Sequence, residues 1–103
     1  MEEVVLAAIC EVQKSGGTAV LVSIIDTEGS TPRKAGSKML VYPDGRTTGT
    51  IGGGCGEAEA KAQALQVLDN KRAATYKVTM YNNVAADEGM VCGGVMELFL
   101  QLV

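Results

Sequence analysis

The run Ala19–Ile25 (AVLVSII) confines this chain more than any other feature, because it is almost unbroken in aliphatic and β-branched residues. A strand with one face in water alternates apolar and polar positions, whereas so uniform a run suits a strand covered on both faces. It predicts a central strand, and therefore a fold that can cover that strand twice.

The neighbouring patterns supply elements for that cover. Val4, Val5, Ala8, Ile9 and Val12 recur at helical spacing between Glu2 and Lys14, and Gly16–Gly17 ends the pattern. Cys10 falls on the opposite side of this helix, which places it at a surface or interface. Ser37–Tyr42 and Arg46–Ile51 read as short strands joined by Pro43–Asp44–Gly45, where Pro and Gly preset the turn dihedrals. A helix rich in Ala and Leu runs from Glu57 to Asn70. Thr75–Tyr81 alternates, with Tyr76, Val78 and Met80 on one face, and Gly94–Val103 sets Met96, Leu98, Leu100 and Leu102 on a second apolar strand face. The expectation is an α/β fold in a single small domain, residues 1–103, with a mixed sheet and helices near residues 2–14 and 57–70.

At 103 residues and 47% hydrophobic, the chain can bury a core without metal or disulfide staples. Its net charge of −3 argues against nucleic acid as the main partner, since duplex binding needs a basic surface. With three cysteines, no histidine and no C-x-x-C pair, an intrachain structural zinc site is not expected. The same cysteine usage, without a signal peptide or long apolar segment, fits a reducing cytoplasm and no membrane partner.

The chemistry concentrates in glycine-rich stretches. Thr50–Glu57 (TIGGGCGE) sets Cys55 where a strand turns into a helix, and helix N-termini bind anions and favour thiolates. Cys55 is therefore a candidate reactive thiolate or soft-metal ligand, with a small residue packed in a tight turn as the other reading. Gly52, Gly53 and Gly54 suggest a phosphate cradle, yet the pattern matches neither the dinucleotide nor the P-loop fingerprint, and a carboxylate at Glu57 would compete with an anion for the same N–H groups. Glu57 is expected to point towards the domain body beside the glycine loop, either orienting a ligand or pairing with Lys61 one helical turn on. Cys92 opens a second glycine motif, Gly89–Gly94, and would either meet Cys55 at a soft metal or disulfide or be buried apart from it. Arg33 follows Pro32 in a stiff loop where Ser30, Thr31, Arg33 and Lys38 gather donors suited to a phosphate or carboxylate.

Taken in order, Glu28–Arg33, Ala35–Met39, Gly49–Glu57 and Met90–Gly94 resemble the N-terminal domain of the XdhC/CoxI family, the xanthine dehydrogenase accessory factors. The resemblance implies a cytoplasmic, non-enzymatic chaperone. Such a factor binds molybdenum cofactor (molybdopterin) as transient cargo, supports its sulfuration or protection, and delivers it to a molybdenum hydroxylase such as xanthine dehydrogenase. It implies that Arg33, Gly52, Gly53, Gly54, Cys55, Glu57 and Cys92 face the cofactor, with Cys55 contacting the metal or its sulfur and no residue acting catalytically. Typical members carry a bulky residue where this chain has Gly56, and continue into a C-terminal Rossmann-like domain that is absent from this sequence. The implied partners are the client hydroxylase, a cysteine desulfurase and a separate Rossmann-domain protein. The strand edges and outward Cys10 of so small a domain suggest a homodimer. The competing readings are a thiol-based redox or sulfur carrier using Cys55 and Cys92, and a structural module whose glycines only shape turns.

Overall fold

The aliphatic run does become a central strand. In a computed structural model, which describes residues 2–31, 33–80 and 93–103, the elements are α1 (Glu3–Ser15), β1 (Val20–Glu28), β2 (Lys38–Val41), β3 (Thr47–Gly49), α2 (Gly54–Asn70), β4 (Ala74–Thr79) and β5 (Val95–Leu102). The five strands form one sheet in the order β3-β2-β1-β5-β4, with β1 in the middle. The α/β class and the two helices are as expected, but the mixed sheet is not: every pairing is antiparallel. A parallel neighbour needs a long crossover. Here the one connecting helix, α2, carries the chain from the β3 edge to β4 at the opposite edge, so it joins strands that are not neighbours.

Alternation along β1 feeds two cores. Val20, Val22 and Ile24 join Met39, Val41, Val78, Met96, Leu98 and Leu100 under Ala60, Ala64 and Val67 of α2. The alanines keep that helix close to the sheet. Leu21 faces the other way, and with Ala19 and Leu40 it receives Val5, Ile9 and Val12 of α1. The predicted α1 stripe is therefore mostly buried, but Val4 at its margin is 55% exposed. Cys10 is exposed, as its place on the helix requires.

Double cover ends at Ile24. Against β5 the register shifts between Ile24 and Asp26, so Ile25 is a bulged residue and stands 47% exposed. Helix α1 lies over β2 and β3. On the α1 side of β4 and β5, Thr75, Lys77 and Thr79 are exposed and Glu97, Phe99 and Gln101 half-buried.

The hairpin between β2 and β3 closes as its sequence indicates. The Gly45 N–H donates to the Tyr42 carbonyl at 2.9 Å, with Gly45 at φ 89°. Arg46 lies over the Tyr42 ring and pairs with Asp44 (Nε···Oδ2 2.7 Å). The Arg46 backbone N–H and then its guanidinium hold the Asp44 carboxyl below its ordinary range. Near the start of α2, the Tyr76 hydroxyl donates to Glu59 at 3.1 Å and ties the helix to β4.

The two faces of β1 predict unequal costs for truncation. Leu98→Ala removes a side chain with no exposed surface from the α2 core and should cost about 2–5 kcal/mol in a denaturant titration. Ile25→Ala should cost under about 1 kcal/mol by the same measurement, because the bulged side chain is already half in water. Equal losses would mean that the open side of β1 is covered in solution.

Candidate functional site at one end of the sheet

Two of the motifs are brought together by direct backbone contact. A Cβ built on Gly94 would lie 2.5 Å from the Ser30 carbonyl oxygen and 2.6 Å from that of Glu28. One built on Gly29 would lie 3.3 Å from the Gly94 Cα. No Cβ fits on Gly94, where the Glu28 and Ser30 backbone and the Thr31 methyl, 2.6 Å from that position, pack directly against the glycine. The Gly94 carbonyl also accepts the Met80 N–H at 2.9 Å, which draws in the end of β4.

The start of α2 descends onto the same end. Gly56 has φ 118°, and a Cβ there would lie 3.2 Å from both Met96 Cε and Val78 Cγ1. Val78 and Met96 are register partners, one step along the strands from Thr79 and Val95. Helix α2 opens at Gly54, three residues before the Glu57 start that the apolar pattern predicts, and Gly56 departs from helical geometry within its first turn.

Within the glycine loop the donors are already engaged. Glu57 Oε2 accepts the Thr50 hydroxyl, the Ile51 N–H at 3.2 Å and the Gly53 N–H at 3.0 Å. Thr50 Oγ1 in turn accepts the Gly52 N–H at 2.9 Å and the Gly53 N–H at 3.1 Å. Glu57 thus sits beside the loop, as expected, and satisfies the N-cap N–H from the first turn in the manner of a capping box. The ion pair with Lys61 is not formed: among the described residues Asp44–Arg46 is the sole ion pair. The Ile51, Gly52 and Gly53 N–H groups for which Glu57 and an anion would compete are bonded to the Glu57 and Thr50 side chains.

Thr50 escaped the sequence reading. A capping box places its hydroxyl three residues before the acid, and here the separation is seven. Only a loop folded back through Gly52 (φ 125°) and Gly53 (φ 75°) brings the two side chains together.

The basic stretch divides. Arg33 and Lys34 are exposed, and the Thr31 hydroxyl donates to the Arg33 carbonyl at 2.9 Å, stiffening the loop. Lys38 leaves the group, for its Nζ donates at 3.1 Å to Ser23, a buried hydroxyl of β1. That separation follows from pairing: Lys38 is the register partner of Ser23, on the sheet face opposite α2. Pro32, Cys92 and the Cys55 side chain lie outside the described residues, and the possible meeting of Cys55 with Cys92 falls there too. Among the described residues no group of three or more Cys, Asp or Glu side chains is placed to hold a metal ion.

The family model for "XdhC and CoxI family" matches residues 12–79. An uncharacterized protein of Escherichia coli K12, YqeB, is 38% identical over 80% of this chain and 15% of its own length. The molybdenum cofactor insertion chaperone PaoD of the same organism is 38% identical over 66% of this chain and 21% of its own. A probable xanthine dehydrogenase subunit of Bacillus subtilis 168 is 31% identical over 82% of this chain and 26% of its own. The chain therefore spans between 15% and 26% of these relatives' lengths. A crystal structure described as that of a xanthine dehydrogenase from Bacillus halodurans superposes with a TM-score of 0.76 at 25% identity, over 95% of this chain and 30% of that one. Sequence model, relatives and fold agree, and the chain belongs to the XdhC and CoxI family.

Proposed function

We propose that this domain is a molybdenum-cofactor chaperone: it binds the cofactor as cargo, shields it while it is sulfurated, and passes it to a molybdenum hydroxylase such as xanthine dehydrogenase. The observation that carries this reading is the convergence of the Glu28–Thr31 stretch, Gly93–Gly94 and the start of α2 at one end of the sheet. The identity with PaoD, whose name is that of a molybdenum cofactor insertion chaperone, supports the choice of cargo.

Molybdopterin presents a phosphate, a metal held by a dithiolene and a polar pterin. Cys55, in the chain segment that enters α2, is the residue suited to the metal or its sulfur, because thiolates are soft ligands. Arg33, exposed on its stiffened loop with no acid paired to it among the described residues, suits the phosphate. Gly52–Gly54 contribute close approach, since the Gly52 and Gly53 N–H groups are taken by Thr50 and Glu57. Glu57 then borders the cargo, and Cys92 is the second thiol offered to it.

The domain acts without catalysis, in the cytoplasm, with a hydroxylase client, a cysteine desulfurase and a separate Rossmann-domain protein completing delivery. No helix among the described residues is long and apolar enough to cross a membrane. A homodimer would cover the exposed Val4, Leu6 and Ile25.

Two measurements test these statements. Under anaerobic conditions with free molybdenum cofactor, Cys55→Ser should fold normally yet lose most binding, because an alcohol is a poor soft-metal ligand. Arg33→Ala should weaken binding by about 1–3 kcal/mol, the worth of one charged hydrogen bond, and Cys10→Ser should bind as the parent does. Cofactor binding by Cys55→Ser equal to the parent's would refute the assignment of Cys55, and a parent chain that binds none would refute the cargo. Sedimentation should show a dimer at micromolar concentration; monomer alone at high micromolar concentration would remove the homodimer.

A further inference from the structure

We propose that the sheet face left open beside α1 is the interface with a second copy of this chain, packed so that Lys77 of each copy meets Glu97 of the other. The proposal refines the homodimer named above and rests on it for the number of copies. The choice of face and of arrangement rests on the fold.

Helix α2 packs on β1, β4 and β5 from one side, whereas α1 packs on β2 and β3 from the other. A helix and a facing sheet each stand about 10 Å above a sheet, so a second copy's sheet fits the remainder of the layer that α1 begins. Helix α1 also decides the direction of approach. A two-fold axis lying across the strands would set α1 against its own copy over the same strands, and the helices would hold the sheets apart. An axis running along the strands, between β4 and β5, sets β4 of each copy over β5 of the other and leaves each α1 beside the other's β4 edge. Leu6, 52% exposed, is on the flank of α1 opposite Glu11 and Ser15, which line the groove with Tyr42 at the hairpin, and so faces that edge. Ile25 stands at the rim, where truncation costs little, and Val4, on the other flank of α1, stays outside.

The chemistry matches row by row. Thr75, Lys77 and Thr79 of β4 are exposed, and their register partners Phe99, Glu97 and Val95 on β5 are half-buried. The axis therefore lays Thr75 over Phe99, Lys77 over Glu97 and Thr79 over Val95 of the second copy, and the same contacts recur in reverse, as an isologous interface requires. Within one chain Lys77 and Glu97 line a shallow cleft with Asp26 and Glu28, yet among the described residues Asp44–Arg46 is the sole ion pair. Each copy thus offers an unpaired cation to a carboxylate on the other. Asp26 and Glu28 belong to β1, outside the overlap of β4 with β5, where water and salt screen them.

Equilibrium sedimentation of the full chain tests this, with a reductant present to keep the exposed Cys10 from linking copies. Lys77→Glu and Glu97→Lys each set like charges across the interface and should raise the dimer dissociation constant by about tenfold or more. Mixed in equal amounts, the two variants should pair with each other about as tightly as the parent does. In that pair the native Glu97 and Lys77 meet on one side and the two reversed residues on the other. The like charges on β4 and β5 within each chain persist in the mixture, so only a contact between copies is rescued. Failure of the mixture to pair overturns the proposal, as does a parent-like dimer for either variant alone. Should a variant not fold, Thr75→Arg puts bulk on the same exposed face, and a parent-like dimer there counts equally against it. A parent chain that stays monomeric at high micromolar concentration overturns the homodimer and this interface together, leaving the face to a different protein. A parent dimer that none of the variants weakens overturns this interface alone.

Discussion

A strand buried on both sides has no spare face, and this domain is arranged around that constraint. Val20, Val22 and Ile24 commit β1 to α2, while Leu21 commits it to α1, so neither helix can be removed without exposing part of the central strand. Pairing is equally committed: β2 takes one edge from Val20 to Ser23, and β5 follows the other from Val20 to Glu28. The bulge at Ile25 marks where this obligation ends. Beyond it β1 is held chiefly by β5, and the chain is free to leave the sheet as the loop that bears Arg33.

That loop is placed by an absence of side chains. Gly94 lets the Glu28 and Ser30 carbonyls approach to distances that no Cβ would tolerate. The contact fixes the end of β1 against the start of β5, and through the Met80 N–H it brings in the end of β4 as well. Three strand ends are thereby gathered under the first turn of α2. The glycines of the family motifs thus do different physical work: Gly29 and Gly94 permit close packing, whereas Gly52 and Gly53 permit a reversal that Thr50 and Glu57 then lock.

Much of the fold was legible because its signals are local. The uniform Ala19–Ile25 run, the α1 stripe, the Pro43–Asp44–Gly45 turn and the alternation through Tyr76, Val78 and Met80 each depend on residues a few positions apart. What was not legible depends on pairing. Strand direction is decided by which strands become neighbours, so the antiparallel sheet could not be told from a mixed one. Lys38 looked like a member of the Arg33 loop until β2 paired with β1 and set it beside Ser23, on the face away from α2. In the site, the placement of Glu57 beside the loop followed from the helical wheel. The partnership with Thr50 did not, since it needs the fold-back at Gly52 and Gly53.

Gly56 shows that the height of the site above the sheet is set from beneath. Its φ of 118° and its 3.2 Å clearances to Val78 and Met96 leave no room for a Cβ unless those side chains yield. A bulkier residue at this point would require the helix to start higher or the side chains below to repack. Val78 and Met96 pair immediately before the contact between Met80 and Gly94. A change of height at position 56 therefore acts on the Gly93–Gly94 backbone through the same two side chains, while also carrying the preceding residue, Cys55, away from the sheet. In this chain the small residue keeps both coupled surfaces close. The height of the entry to α2 above Val78 and Met96 is thus governed by core packing as much as by the glycine loop.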